Sequence, residues 1–526
     1  MRSAFRCLVA ILICGFSFVA LQAQCPARPD AGTVVQDALA LSSVNGVLSA
    51  ELTMRHSVDT AGFNHYCLNY DTGTGIVEAP TLRLNQGDHL MLDVKDRIES
   101  DDEPSGMSGM DMSGLPVCGD TGTPTLSSTN MHFHGLNVPP VCHQDDVLTT
   151  LIQPGKPAFR FDMQIPANEP PGLYWYHPHV HGFTEFQVNG GAAGALIVEG
   201  MEKLNPDVAG LTQRVFTIRQ QYLVPWVPGP YQLTINYQVA ASPSFPAPII
   251  KMKPNEKQFW RVLNATIQDL MPLQVWFNGK PQKLQLVALD GYPLAKSRSE
   301  ETILVPPAGR AEFIVQAPPE GTQAEFMSLG YSTGPTGNPD LEQELGNIEL
   351  TSADETQAAE TKPTQPTRPI TMQNIKFAGL DNVKPTTLRK LYFSEEFGGT
   401  NGPIQFYITV DGQKQKVFEP NEKPAITTHV GAVEDWIIEN HALETHAFHI
   451  HQIHFMLLEV DGKPVPPDLR DTYEIPFWEG PGHPYHSIKG RFDFRDPTIA
   501  GTFVFHCHIL LHEDLGMMHK ILVLPK

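Results

Sequence analysis

One stretch, Thr502-Phe503-Val504-Phe505-His506-Cys507-His508, leaves the chain little local freedom. Its β-branched and aromatic residues favour a strand. Side chains alternate across a strand, so Cys507 faces one side and His506 and His508 face the other. His512 and Met517 follow five and ten residues past Cys507. A thiol, imidazoles and a thioether at this spacing are the soft and borderline ligands of a blue-copper type of site, one histidine short of complete. A single peptide can thus hold a metal on one face and belong to a second metal site on the other.

The 21 histidines of the chain are unevenly placed. Nine lie from His56 to His181, twelve from His429 to His519, and none between. Metal chemistry therefore belongs to the two ends, and the middle contributes no histidine.

Short apolar strands separated by Gly, Pro and Asn run through all three parts, which predicts an all-β chain of sandwiches. Leu90-Met91-Leu92-Asp93-Val94 and Gly194-Ala195-Leu196-Ile197-Val198 fall in the first part. Phe259-Trp260-Arg261-Val262-Leu263 and Leu284-Gln285-Leu286-Val287-Ala288 fall in the second. Trp436-Ile437-Ile438 and Phe503-Val504-Phe505 fall in the third. Residues 351–369, rich in Thr, Glu, Gln and Pro, read as an exposed linker.

The formal charge of −21 argues against nucleic acid or an anionic membrane surface as partner. Arg2 and Arg6, the apolar run Cys7–Leu21 and Ala23 form the pattern of a secretory signal peptide. The run is short for a membrane span, so stable insertion is not expected. Export to the periplasm or the exterior is. Beyond that segment, Cys25, Cys67, Cys118 and Cys142 remain beside Cys507, an even number for an oxidising compartment. Of three pairings, Cys25–Cys67 and Cys118–Cys142 are favoured, because the second closes the loop around 119–141.

Four clusters each contain a His-x-His step: His132-Phe133-His134, His177-Pro178-His179, His449-Ile450-His451 (preceded by His446), and His506-Cys507-His508 with His512. Each step puts two imidazoles on one face of a strand. Ten histidines, a thiol and a thioether are too many for a structural zinc, which closes with four ligands.

With all four motifs present and in order, the chain resembles the multicopper oxidase family, which includes laccases and bacterial cuprous oxidases. The resemblance spans nearly all of the chain past its signal segment. It implies three consecutive cupredoxin-like Greek-key β-sandwich domains after the signal peptide at 1–23. These are residues 24–200 with cluster ligands, 201–350 with none, a linker at 351–384, and 385–526 with ligands of both centres. It implies four copper ions. The type 1 copper would take His446, Cys507 and His512 with Met517 as weak axial ligand, and the type 2 copper His132 and His449. The type 3 pair would take His134, His177, His179, His451, His506 and His508.

The activity so implied is one-electron oxidation of a small reductant at the type 1 copper, coupled to four-electron reduction of dioxygen to water at the trinuclear cluster. Phenols or similar aromatic reductants, aromatic amines among them, are the leading substrates. Oxidation of Cu(I) for envelope copper tolerance is the alternative, and a non-catalytic copper carrier is the alternative of another class. A monomer is expected, since three domains house every ligand. Oxygen reduction consumes protons, which makes Glu513 and either Asp145 or Asp146 candidate acids. His143, His181, His454, His483, His486 and His519 have no matching role. The loop Gly106–Gly114 carries Met107, Met110 and Met112, thioethers suited to Cu(I), or is simply an exposed insertion.

Overall fold

Strand Val47–Val58 alternates buried with exposed or half-buried residues as far as Met54, and His89–Asp96 alternates buried and half-buried residues along its length. That period of two belongs to strands with one face on a core and one on water. In the first, Leu48, Ala50, Leu52 and Met54 point inward. The computed structural model describes residues 25–58, 64–99, 114–222, 231–240, 243–351, 369–397 and 404–526. The expected signal peptide, Met107, Met110 and Met112 lie outside the described residues.

The architecture is all-β, as expected, and is built from pairs of sheets. In the first unit, the sheet ordered Ala40–Ser42, Thr81–Leu84, Gly194–Val198, Gly172–His177, His132–His134 packs on a second five-stranded sheet that contains Val47–Val58 and His89–Asp96. The middle unit pairs a seven-stranded sheet with a six-stranded one around Phe216, Trp260, Phe313 and Phe326. The third pairs a six-stranded sheet, through Ala432–Asn440 and His486–Phe494, with a five-stranded sheet centred on Gly501–Cys507. Trp436 fills its core, stacked on Phe492 at 4.2 Å. Truncating a buried ring of this kind costs about 3–5 kcal/mol. Among the described residues no helix is long and apolar enough to cross a membrane.

Strand Gly172–His177 is buried on both faces. Tyr174 and Tyr176 enter the first unit's core, while Leu173 and Trp175 pack with Val215, Leu263 and Ala308 of the middle unit. The sandwiches are therefore joined by an apolar seam directly behind the histidines of the first unit. The disulfides Cys25–Cys67 and Cys118–Cys142 are both present. Val35 of the N-terminal segment enters the middle core. In the stretch expected as linker, Ile370, Ile375, Phe377 and Leu380 are buried in the third unit's core, so its second half is anchored by apolar side chains.

Candidate metal centres

Strand Gly501–Cys507 lies between Met518–Leu524 and His446–Ile450, with Cys507 opposite Phe448 and His506 opposite His449. Alternation then sends His446 and Cys507 to one face and His449 and His506 to the other. On the first face, Cys507 Sγ lies 3.6 Å from His446 Nδ1 and 3.9 Å from His512 Nδ1, and the two nitrogens are 3.2 Å apart. The short helix Leu510–Asp514 delivers His512. Gly516, at φ 97°, then turns the chain back so that the Met517 carbonyl accepts the Cys507 N–H at 3.1 Å. A Cβ there would stand 2.3 Å from Val417. Met517 is buried in the same core as Cys507, whereas Met518 packs with Val147, Leu148, Phe418 and Val504. Burial pushes the Cys507 thiol up to about 12 and holds His512 well below the imidazole range. A thiol this reluctant to ionise becomes a thiolate only beside a cation.

On the opposite face eight histidines converge, all buried. His132, His134 and His177 share one face of paired strands, His177 opposite His132. His132 and His451 stack at 3.8 Å, and His134 and His449 at 3.9 Å, which joins the first unit to the third. His506 Nε2 lies 3.1 Å from His451 Nε2 and 3.4 Å from His179 Nε2. His508 is 5.1 Å from His134, ring to ring.

The tautomers are fixed from outside. His177 donates Nδ1–H to the Pro178 carbonyl at 2.8 Å, His506 to the Cys507 carbonyl at 2.8 Å and His449 to the Asp471 carbonyl at 2.9 Å. His132 donates to Asp145 at 2.9 Å. Each ring therefore turns a bare Nε2 inward, and those of His132, His177 and His449 meet no protein donor. Buried polar atoms are seldom left so. Bare imidazole nitrogens converging, each fixed by a hydrogen bond at its far side, are a metal-binding arrangement. Burial, joined by neighbouring rings, lowers these imidazoles, His177 to about 3 and His506 to about 4. They stay neutral and available as ligands.

Of the candidate acids, Asp145 is at the cluster, where it accepts from His132, the Phe133 N–H at 2.9 Å and the Gln452 amide. Burial raises its carboxyl to about 8. Asp146, the other candidate, is bonded within its own turn, its carboxylate taken up by the amide and hydroxyl of Thr149. Glu513 is buried 3.3 Å from His179 Nε2 and 3.2 Å from His506 Nδ1. Burial, then the charge of Asp514, pushes it well above the carboxylate range.

Asp471 was not legible in the sequence. It lies 3.4 Å from His134 Nε2, and its own carboxylate is gripped by Arg310 of the middle unit. Gly135, at φ 86°, leaves room for that pair, since a Cβ would stand 2.6 Å from the guanidinium. His454, with no ligand role, donates to the Asp290 carbonyl at 2.7 Å beside the same pair. At the Cys507 centre the outward nitrogens also have unforeseen neighbours: Glu395 lies 3.4 Å from His446 Nε2 and Glu444 3.5 Å from His512 Nε2. No spacing rule links these acids to the histidines; the fold alone joins them.

Two multicopper oxidase family models match the chain, over residues 398–526 and 125–203, the stretches that carry all four histidine motifs. The chain belongs to the multicopper oxidase family. It is accordingly a copper-dependent oxidoreductase that uses oxygen as acceptor. It is similar to the multicopper oxidase mco of Staphylococcus epidermidis, 23% identical, with 88% of this chain and 90% of that protein covered. It is similar also to mco of Staphylococcus aureus, 24% identical over 85% and 83%. In fold it is similar to a Campylobacter jejuni multicopper oxidase described as a metallo-oxidase, with a TM-score of 0.66, 23% identity and 95% and 96% coverage. A laccase-like oxidase from Ochrobactrum sp. with activity towards lignin model compounds gives 0.63, 20%, and 95% and 100%.

Proposed function

We propose that this enzyme oxidises phenols or aromatic amines one electron at a time and reduces dioxygen to water. Four coppers would be held by the residues described: His446, Cys507 and His512 with Met517 for type 1, His132 and His449 for type 2, and His134, His177, His179, His451, His506 and His508 for type 3. When bound, copper supplies the one-electron couple and the oxygen-reducing centre.

The observation that carries the substrate reading is the pair of carboxylates, Glu395 and Glu444, against the outward nitrogens of His446 and His512. A phenol or aryl amine becomes strongly acidic as it loses an electron, and an adjacent carboxylate takes the proton. Exposed apolar residues nearby in the chain, Phe397, Leu511 and Leu515, suit an organic ring. At the cluster, Glu513 holds a proton where oxygen reduction consumes one, and Asp145 fixes the tautomer of His132. The Cys507 peptide joins the centres covalently, since His506 and His508 flank it.

A second reading, oxidation of a metal cation such as Cu(I), draws on Asp340 and Glu444, which line one small cavity beside Ile509. Carboxylates are hard ligands, however, and Cu(I) prefers thioethers. The two disulfides suit an oxidising compartment and support the reading that the chain is exported, periplasmic or extracellular. One chain supplies all the ligands, which supports a monomer.

Oxygen uptake on a phenol, an aromatic amine and Cu(I), repeated with Glu395→Gln and Glu444→Gln, tests the substrate reading. The expected result is a 10²–10⁴-fold loss on phenols, the usual worth of a positioned base. Unchanged phenol oxidation with loss of Cu(I) oxidation would favour the second reading.

A further inference from the structure

A row of rings on the third sandwich is used by neither centre. Tyr392 stacks on His441 at 4.5 Å and 8°, and His441 stacks on Tyr485 at 3.6 Å and 18°. Trp478 flanks Tyr485 at 5.1 Å and 48°. The row is fixed in place. His441 donates to Glu439 at 2.8 Å, and Trp478 Nε1–H donates to the His483 carbonyl at 2.9 Å. Tyr485 nevertheless keeps 40% of its surface open.

The row is tied to the Cys507 centre. The Trp478 N–H donates to the Ala442 carbonyl at 2.8 Å, and the His441 N–H to the Phe393 carbonyl at 2.9 Å. The Phe393 ring is 5.0 Å from that of His446. Ala442 is two residues from Glu444, which puts their Cα atoms within about 7 Å. The acids around the rings are engaged, Glu439 by Lys390 and His441, and Asp461 and Glu479 both by His486, which leaves at least one negative charge beside the rings. What the surface offers besides that charge is ring faces, and ring faces select planar aromatic ligands.

We propose that Tyr485 and Trp478 form a stacking subsite for the second ring of extended aromatic reductants, the first ring being held at Glu395 and Glu444. This rests on the phenol and aryl amine reading above. A platform already locked by its neighbours contributes affinity without the cost of ordering it.

Oxygen uptake by the copper-loaded enzyme is compared on biphenol, with two linked phenol rings, and hydroquinone, with one. Tyr485→Ala and Trp478→Ala should raise the ratio of KM for biphenol to KM for hydroquinone about two- to tenfold, the worth of one ring contact. Tyr485→Phe should restore the wild-type ratio. Dimethoxybiphenyl, which has no hydroxyl to oxidise, should saturably quench the fluorescence that Trp478→Phe removes. An unchanged KM ratio, or no such quenching, overturns the subsite. If quenching is seen but neither phenol is oxidised, the substrate reading fails and the aromatic-binding face stands.

Discussion

Arg310 of the middle sandwich holds the Asp471 carboxylate of the third in a two-bond fork, at 2.7 and 2.6 Å, with both side chains fully buried. Such forks are strong and directional. Asp471 in turn lies against His134 and receives the Nδ1 proton of His449 on its backbone carbonyl. The unit that contributes no histidine to either cluster thus orients histidines on both of its neighbours.

Arg310→Lys keeps the charge but loses the fork. We predict about 10–100-fold weaker copper retention at the histidine cluster, as when other outer partners of ligands are removed. The blue absorption of the Cys507 centre should persist. Metal analysis after graded dialysis against a chelator, read beside the visible spectrum, checks this.

Met517 shares the core of Cys507, while Met518 turns to another cluster. We predict that Met517→Leu raises the potential of the type 1 centre and that Met518→Leu leaves it unchanged. Electrochemical titration of the blue band separates the two.

Much of this was legible in the sequence, and the limit is instructive. The alternation around Cys507 and the four His-x-His steps depend only on strand geometry, which is local. Asp471 and Arg310 are 161 residues apart, and no pattern in either neighbourhood marks them. Their pairing exists only because the fold brings the middle unit against the third, where Arg470 also meets Asp290 and Arg298 meets Asp468. Asp145 and Asp146 are an intermediate case. The position was legible, but only the fold shows that Asp145 meets His132 while Thr149 takes Asp146. The linker illustrates the converse: Ile375, Phe377 and Leu380 lie just past a polar, Pro-rich run, so composition averaged over the stretch hid a buried anchor.

Glu169 is fully buried, accepts from Asn137 at 2.8 Å, and is raised by burial from 4.5 to about 7, against the pull of Lys376. A carboxyl whose folded value lies above its unfolded one favours folding while protonated. That contribution is whole below about pH 4 and is lost as pH rises through about 7. Glu169→Gln should therefore match wild type near pH 4 and exceed it by on the order of 3 kcal/mol near pH 8. Denaturant unfolding at both values tests the sign.

Cys507→Ser removes the only free cysteine among the described residues. We predict loss of the blue band, about three coppers retained per chain on the histidine count, and oxygen uptake on phenols reduced to background. Metal analysis and oxygen electrode measurements on one preparation check all three.

We propose that one peptide, His506-Cys507-His508, belongs to two copper centres on opposite faces of a strand. Anomalous diffraction at the copper edge tests it most directly. One peak is expected to be bounded by His446, Cys507 and His512, and three more enclosed by the histidines of the opposite face, with His506 and His508 among their ligands. A peak at Cys507 alone, with the histidine cluster free of copper, would contradict it.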